Sequence, residues 1–146
     1  MAIHYETIDV QVPKMRRREI SNWIKDIIAR HQKEMGGIVY IFCSDTEILR
    51  INQEYLKHDY YTDIITFDYS EEKVISGDIF ISLDTVKSNA DQFSTDYSEE
   101  LYRVMAHGVL HLCGFKDKTP EEKALMRTEE NEALSRLLII SNPSAK

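Results

Sequence analysis

Residues 107–117 read HGVLHLCGFKD. Two histidines stand four positions apart in an apolar stretch with helical periodicity. On an α-helix that spacing means ~40° of rotation and ~6 Å of rise, so His107 and His111 project from one face and can share a metal ion. Neutral imidazoles suit zinc near neutral pH. Gly114 ends the helix, and Asp117 just beyond it can fold back as a carboxylate ligand. Two His and one Asp leave a tetrahedral ion with one open position, which is a catalytic arrangement. Water in that position has its pKa lowered toward ~7, and the chemistry is hydrolysis. The same ligand types match the facial triad of iron oxygenases, so ligand type alone leaves the metal open.

A bare i,i+4 histidine pair is weak evidence. Three features strengthen it. Leu101, Val104, Met105, Val109, Leu110 and Leu112 make the helix apolar nearly all round, so it is buried. Two histidines side by side there need partners, because an unpaired buried polar group costs ~1–3 kcal/mol. Gly108 sits mid-helix at a cost near ~1 kcal/mol against Ala; a chain segment or a substrate must come close to the backbone there. Gly114 turns the chain immediately after the pair. What is missing narrows the reaction. Peptidases of the H-E-x-x-H type place a general base beside the first His, and here that position is Gly108. Phosphodiester hydrolysis leans more on the metal and on cationic groups.

The elements that must position this set can be read from periodicity. A short strand is expected near residues 3–5. A helix comes next from 14 to about 34, with Ile20, Trp23, Ile24, Ile27 and Ile28 at helical spacing and Gly36 and Gly37 stopping it. IVYIFC at 38–43 reads as a buried strand and SDTE at 44–47 as a capping box opening a helix to about residue 57. DIITFDY at 63–69 and GDIFIS at 77–82 read as further strands joined by a turn or hairpin. Helices are expected over 83–93, over 99–113 with Ser98 as cap, and from Thr119-Pro120 to about 138. The fold class is α+β: a small mixed sheet of about four strands backed by helices, with the metal site on a buried helix. A single domain over 1–140 is expected, with 141–146 as a frayed tail.

Composition bounds the rest. The N-terminus lacks a basic region followed by an apolar run, no stretch approaches the ~20 apolar residues of a membrane span, and a cytoplasmic address is expected. Cys43 and Cys113 form no C-x-x-C motif and read as small buried hydrophobes, with a ligand role open to Cys113. The net charge of −7 argues against a general nucleic-acid coat. It leaves room for a local basic groove, and KMRRR at 14–18 is the densest basic run. His4 and His31 belong to no constellation.

HGVLHLCGFKD resembles the H-G-x-L-H-L-x-G-Y-D-H signature of the YbeY family of endoribonucleases, or rRNA maturation factors. YYTDIITF at 60–67 is similar to the family's P-T-D-V-L-S-F, GDIFIS at 77–82 to its G-D-I-x-I-S, and INQEY at 51–55 to its L-N-x-x-Y. The resemblance covers roughly residues 40–130. It implies a single-strand-preferring, metal-dependent endoribonuclease acting in small-subunit (16S) rRNA maturation and ribosome quality control. It also implies rRNA, the small ribosomal subunit and its assembly factors as partners, with no DNA and no membrane. Zn2+ is the expected ion, one per chain, with Ni2+ or another divalent metal as the alternative. Two departures stand out. The family's third ligand is His, and Asp117 takes that place when the motifs are laid side by side without a gap. The family has Y-R where this chain has Tyr55-Leu56, and Leu56 cannot serve a phosphate. Arg103, one turn before His107, could stand near the site as a catalytic cation, as could Lys116, and His58 could donate to substrate. The expected catalytic set is therefore His107, His111 and Asp117 with Arg103. The rival readings are a ribosome-assembly binding factor with weak or lost nuclease activity, and another metal-dependent hydrolase such as a peptidase.

Overall fold

Strand β1 (Ile3–Ile8), helix α1 (Arg17–Arg30) and strand β2 (Glu34–Cys43) open the fold of a computed structural model that describes residues 3–57 and 62–141. β1 and β2 pair in parallel, from Ile3 against Ile38 to Ile8 against Cys43. Helix α2 (Asp45–Leu56) comes next, then strands β3 (Ile64–Asp68) and β4 (Val74–Ser82), then helices α3 (Leu83–Phe93), α4 (Tyr97–Leu112) and α5 (Pro120–Ser141). Among the described residues the sheet has four strands in the order β1-β2-β4-β3. β4 runs parallel to β2, and β3 closes the edge as an antiparallel hairpin partner of β4. The α+β class and the mixed four-stranded sheet agree with the sequence.

The sheet is buried on both faces because its strands alternate between two clusters. Ile38, Tyr40, Phe42, Ile75, Ile79 and Ile81 pack under α1, α4 and α5 in the main core. Ile65 and Cys43, with Phe67 and Phe80, face the other way and receive Ile48 and Ile51 of α2. Burying one such Ile or Phe contributes roughly 1.5–3 kcal/mol. Trp23 at the centre of α1 is fully buried, and its indole N–H donates to the Ala133 carbonyl of α5 at 2.7 Å. Arg136 of α5 donates to both oxygens of Asp26 at 2.6 and 2.8 Å. These two contacts fix α5 against α1.

Helix ends differ from the sequence expectation in instructive ways. α1 stops at Arg30, short of Gly36 and Gly37. Gln32 takes the left-handed conformation (φ 60°) and the Lys33 and Gln32 amides donate back to Ile28 and Ala29. That is a Schellman stop with a glutamine in the place glycine usually holds. The glycine pair lies inside β2, where the register against β4 shifts between Met35 and Ile38. A Cβ at Gly36 would fall on the Ser76 hydroxyl. α4 begins at Tyr97 behind Asp96, earlier than a Ser98 cap would give. α5 continues to Ser141, past the expected end near 138. The remainder of the tail, and His58, lie outside the described residues.

Candidate metal centre

Helix α4 carries both histidines, and its seat on the sheet explains Gly108. A Cβ there would lie 2.9 Å from Ile64 Cδ1 and 2.9 Å from Ile79 Cγ2. The close neighbour is therefore the β3–β4 floor, not a substrate. This seating leaves another face of α4, with His107 and His111, toward a cleft of about 410 Å³.

Gly114 does what its position predicts. It takes φ +110°, its amide donates to the His111 carbonyl at 3.0 Å, and the Phe115 amide donates to the Leu110 carbonyl at 3.0 Å. These two bonds are the Schellman pair. They turn the chain so that Asp117 comes back over the helix end. A capping box holds the next segment: Glu122 N–H donates to Thr119 Oγ1 at 3.1 Å, and Thr119 N–H donates to Glu122 Oε1 at 3.0 Å. α5 thus starts shortly beyond Asp117 and runs back past the cleft. His31, which the sequence leaves without a constellation, packs edge-on against the Phe115 ring and pairs with Glu129 at 3.2 Å, bracing this corner.

Asp117 Oδ2 lies 3.1 Å from His107 Nε2 and 3.4 Å from His111 Nε2. One ligand atom from each of the three residues falls within 4.8 Å of the others, so the three could hold a metal ion. The side chains are 19%, 28% and 38% exposed, open enough for an ion and a substrate to enter from the cleft. Two imidazole nitrogens and one carboxylate oxygen fit a borderline divalent ion. Cys113 is not part of the cluster. Burial pushes its thiol up to about 11 and that of Cys43 to about 12, which keeps both protonated and inert.

Glu130 of α5 completes the arrangement, and no pattern in the sequence announces it. It is 5% exposed, and its Oε2 sits 2.6 Å from His107 Nδ1. Burial pushes its carboxyl up, but the His107 bond and charge and then Arg103 outweigh burial and hold it below the usual range. An ionised carboxylate only accepts, so Nδ1 carries the proton, and in the neutral ring it is the Nε2 lone pair that faces the ligand cluster. The same contact acts on His107: burial disfavours its charged form, Glu130, Asp117 and Asp63 favour it, and the carboxylates prevail, raising its pKa. Glu130 Oε1 accepts from Arg103 at 3.1 Å and lies 3.5 Å from Arg127 Nη1. Arg103 therefore does line the cleft, tied to Glu130, while Lys116 and Leu56 do not line it.

Asp63 and Glu100 also line the cleft. Burial, then in Glu100 the charge of Asp63, pushes both carboxyls up. Glu100 could have been found from the sequence, since 100, 103, 107 and 111 share one helix face. Glu130 and Arg127 could not, because no local spacing connects α5 to α4.

Comparisons with known proteins bear on the family and the fold. The family model described as Endoribonuclease YbeY matches residues 3–138. The protein of that name from Bacteroides fragilis is 55% identical over 135 residues, covering 92% of this chain and 97% of its own. Its counterpart in Parabacteroides distasonis is 56% identical over 135 residues, covering 92% and 95%. The solution structure of a Thermotoga maritima protein matches with a TM-score of 0.67 at 24% identity, over 99% of this chain and 96% of that one, and shows the same fold. No helix among the described residues is long and apolar enough to cross a membrane.

Proposed function

The chain belongs to the YbeY endoribonuclease family, and from that premise we propose that it is a metal-dependent endoribonuclease hydrolysing phosphodiester bonds of single-stranded RNA. Its place is small-subunit (16S) rRNA maturation and ribosome quality control, with the small subunit and its assembly factors as partners, in the cytoplasm and as a single domain over residues 1–140. The observation that carries the reading is the convergence of His107, His111 and Asp117 at the mouth of a cleft, with Glu130 behind His107.

His107 Nε2, His111 Nε2 and an Asp117 oxygen would hold one divalent ion, zinc first, with nickel or another divalent metal as the alternative. Such an ion supplies Lewis acidity: it acidifies water and offsets charge at a phosphate. Glu130 keeps the His107 proton on Nδ1, so the other ring nitrogen stays available. Asp117 adds a negative charge where the family resemblance expects a neutral imidazole, and so favours harder divalent ions. Gly108 argues against a peptidase, since the position of an adjacent general base is packed on Ile64 and Ile79. A binding factor without catalysis is the weaker rival, because three residues able to hold a metal converge in one cleft.

The test is metal content and RNA cleavage of the untagged chain beside His111→Ala and Asp117→Ala. About one equivalent of metal and chelator-sensitive cleavage of single-stranded RNA are expected in the parent, both lost in the variants. A parent that binds no metal, or cleaves equally well with chelator, overturns the reading. The product ends then separate two routes: a 2′,3′-cyclic phosphate marks attack by the ribose 2′-OH, and a 5′-phosphate marks attack by water.

A further inference from the structure

RNA carries a negative charge at every nucleotide, and a cleft that receives it needs cations aimed inward. The walls here supply carboxylates first: Asp63, Glu100, Asp117 and Glu130. Among the described residues, the guanidiniums lining the cleft are those of Arg103 and Arg127. They arrive from different helices, α4 and α5, and both place Nη1 at the same oxygen, Glu130 Oε1. Two like charges gathered at one acceptor repel each other, and the ion pair of the exposed Arg127 contributes little to stability. Each arginine spends one of five N–H donors on Glu130 and keeps the rest. The two differ in freedom: the Arg103 side chain is 18% exposed, while that of Arg127 is 62% exposed, with Glu130 as its ion-pair partner. The other oxygen of Glu130 is on His107, so a single carboxylate separates the guanidiniums from the ligand cluster.

We propose that Arg103 and Arg127 form a phosphate-binding subsite for the RNA strand, held beside the His107–His111–Asp117 cluster by Glu130. Paired guanidiniums match phosphate oxygens through parallel N–H bonds. Arg103 is the fixed half and Arg127 the half that swings onto a phosphate at the rim. The inference rests on the ribonuclease reading for its substrate class.

The test uses the full metal-bound chain, a fluorescent single-stranded RNA oligonucleotide and stopped-flow anisotropy read before cleavage proceeds, at several salt concentrations. Steady-state cleavage of the same RNA is measured alongside. Arg127→Gln is compared with Arg127→Lys and with Lys87→Gln, which removes one positive charge from an exposed site on α3 away from the cleft. Arg127→Gln is expected to weaken binding roughly tenfold and to raise KM, with metal content unchanged. The slope of log affinity against log salt should flatten by about 0.7. Arg127→Lys should keep the slope, and Lys87→Gln should change little. Equal effects of Arg127→Gln and Lys87→Gln overturn the subsite. Chelator-sensitive cleavage with parental kinetics in Arg127→Gln leaves the nuclease reading standing and removes the subsite. RNA binding that is lost in Arg127→Gln, in a parent that cleaves nothing, does the reverse. A parent that binds no RNA overturns both.

Discussion

Glu130 Oε2 lies 2.6 Å from His107 Nδ1, joining residues 23 positions apart on two different helices. The contact sets which ring nitrogen of His107 is free, and a glutamine cannot reproduce it. An amide has one acceptor oxygen, whereas Glu130 serves His107 with one oxygen and Arg103 with the other. In Glu130→Gln the oxygen either stays on Arg103, which turns the amide NH2 toward Nδ1 and moves the proton to Nε2, or serves His107 and leaves Arg103 facing a donor. We expect metal affinity to fall by about 10–100-fold, measured by chelator competition. The melting temperature with chelator present reports folding separately. Unchanged affinity in a folded variant would remove the positioning role.

Gly108→Ala tests the seat of α4. Helix propensity alone favours Ala by about 1 kcal/mol. The added Cβ would meet Ile64 Cδ1 and Ile79 Cγ2 at 2.9 Å each, and Ile79 is fully buried in the core. Overpacking of that kind costs about 1–3 kcal/mol and should prevail. The variant is expected to be less stable in urea unfolding, and adding Ile64→Val, which removes one of the clashing methyls, should recover part of the loss. A variant more stable than the parent would mean that α4 lifts off the sheet freely.

Trp23→Phe tests how α5 is held over the site. The indole is fully buried, meets Tyr102 edge-on at 6.1 Å, and donates to Ala133, one turn beyond Glu130. Phenylalanine keeps most of the apolar area but loses the bond and leaves a void. A destabilisation of about 2 kcal/mol is expected. If the bond also sets the height of α5, metal affinity falls with it. A loss of stability with unchanged affinity would confine Trp23 to the core.

The parts of this site visible in the sequence are those encoded by local chain geometry. The histidine pair, the turn at Gly114, the return of Asp117 and the Thr119–Glu122 box each depend on residues within a turn or two of one another. Backbone sterics and capping bonds give such patterns one main outcome. The end of α1 shows the limit of that code, since Gln32 adopts the conformation that Gly36 and Gly37 advertise. The strand order β1-β2-β4-β3, and the meeting of Glu130 and Arg127 with α4, come from burial of faces far apart in sequence. No spacing rule reports them. Gly108 lies between the two cases: its oddity is visible in the sequence, and only the sheet beneath it shows what it accommodates.

The Asp26–Arg136 pair gives the fold a pH dependence with a definite sign. The two Arg136 hydrogen bonds, outweighing partial burial, hold the Asp26 carboxyl below its ordinary range. A carboxylate depressed in the folded state contributes stability that is fully present above the unfolded value of about 4. That contribution is lost as pH falls through the lower folded value. Asp26→Asn keeps a polar side chain of the same size and removes the charge. At pH 7 it should cost at most about 1 kcal/mol, because the pair is partly solvated. The decisive measurement is urea unfolding of parent and variant at pH 7 and at several values below 4, with chelator throughout so that ligand protonation cancels between them. The gap should close as the pH falls, because the parent then loses what the variant never had. A gap that stays constant with pH would show that the introduced amide disturbs packing between α1 and α5, and that the charge of Asp26 contributes nothing to holding them together.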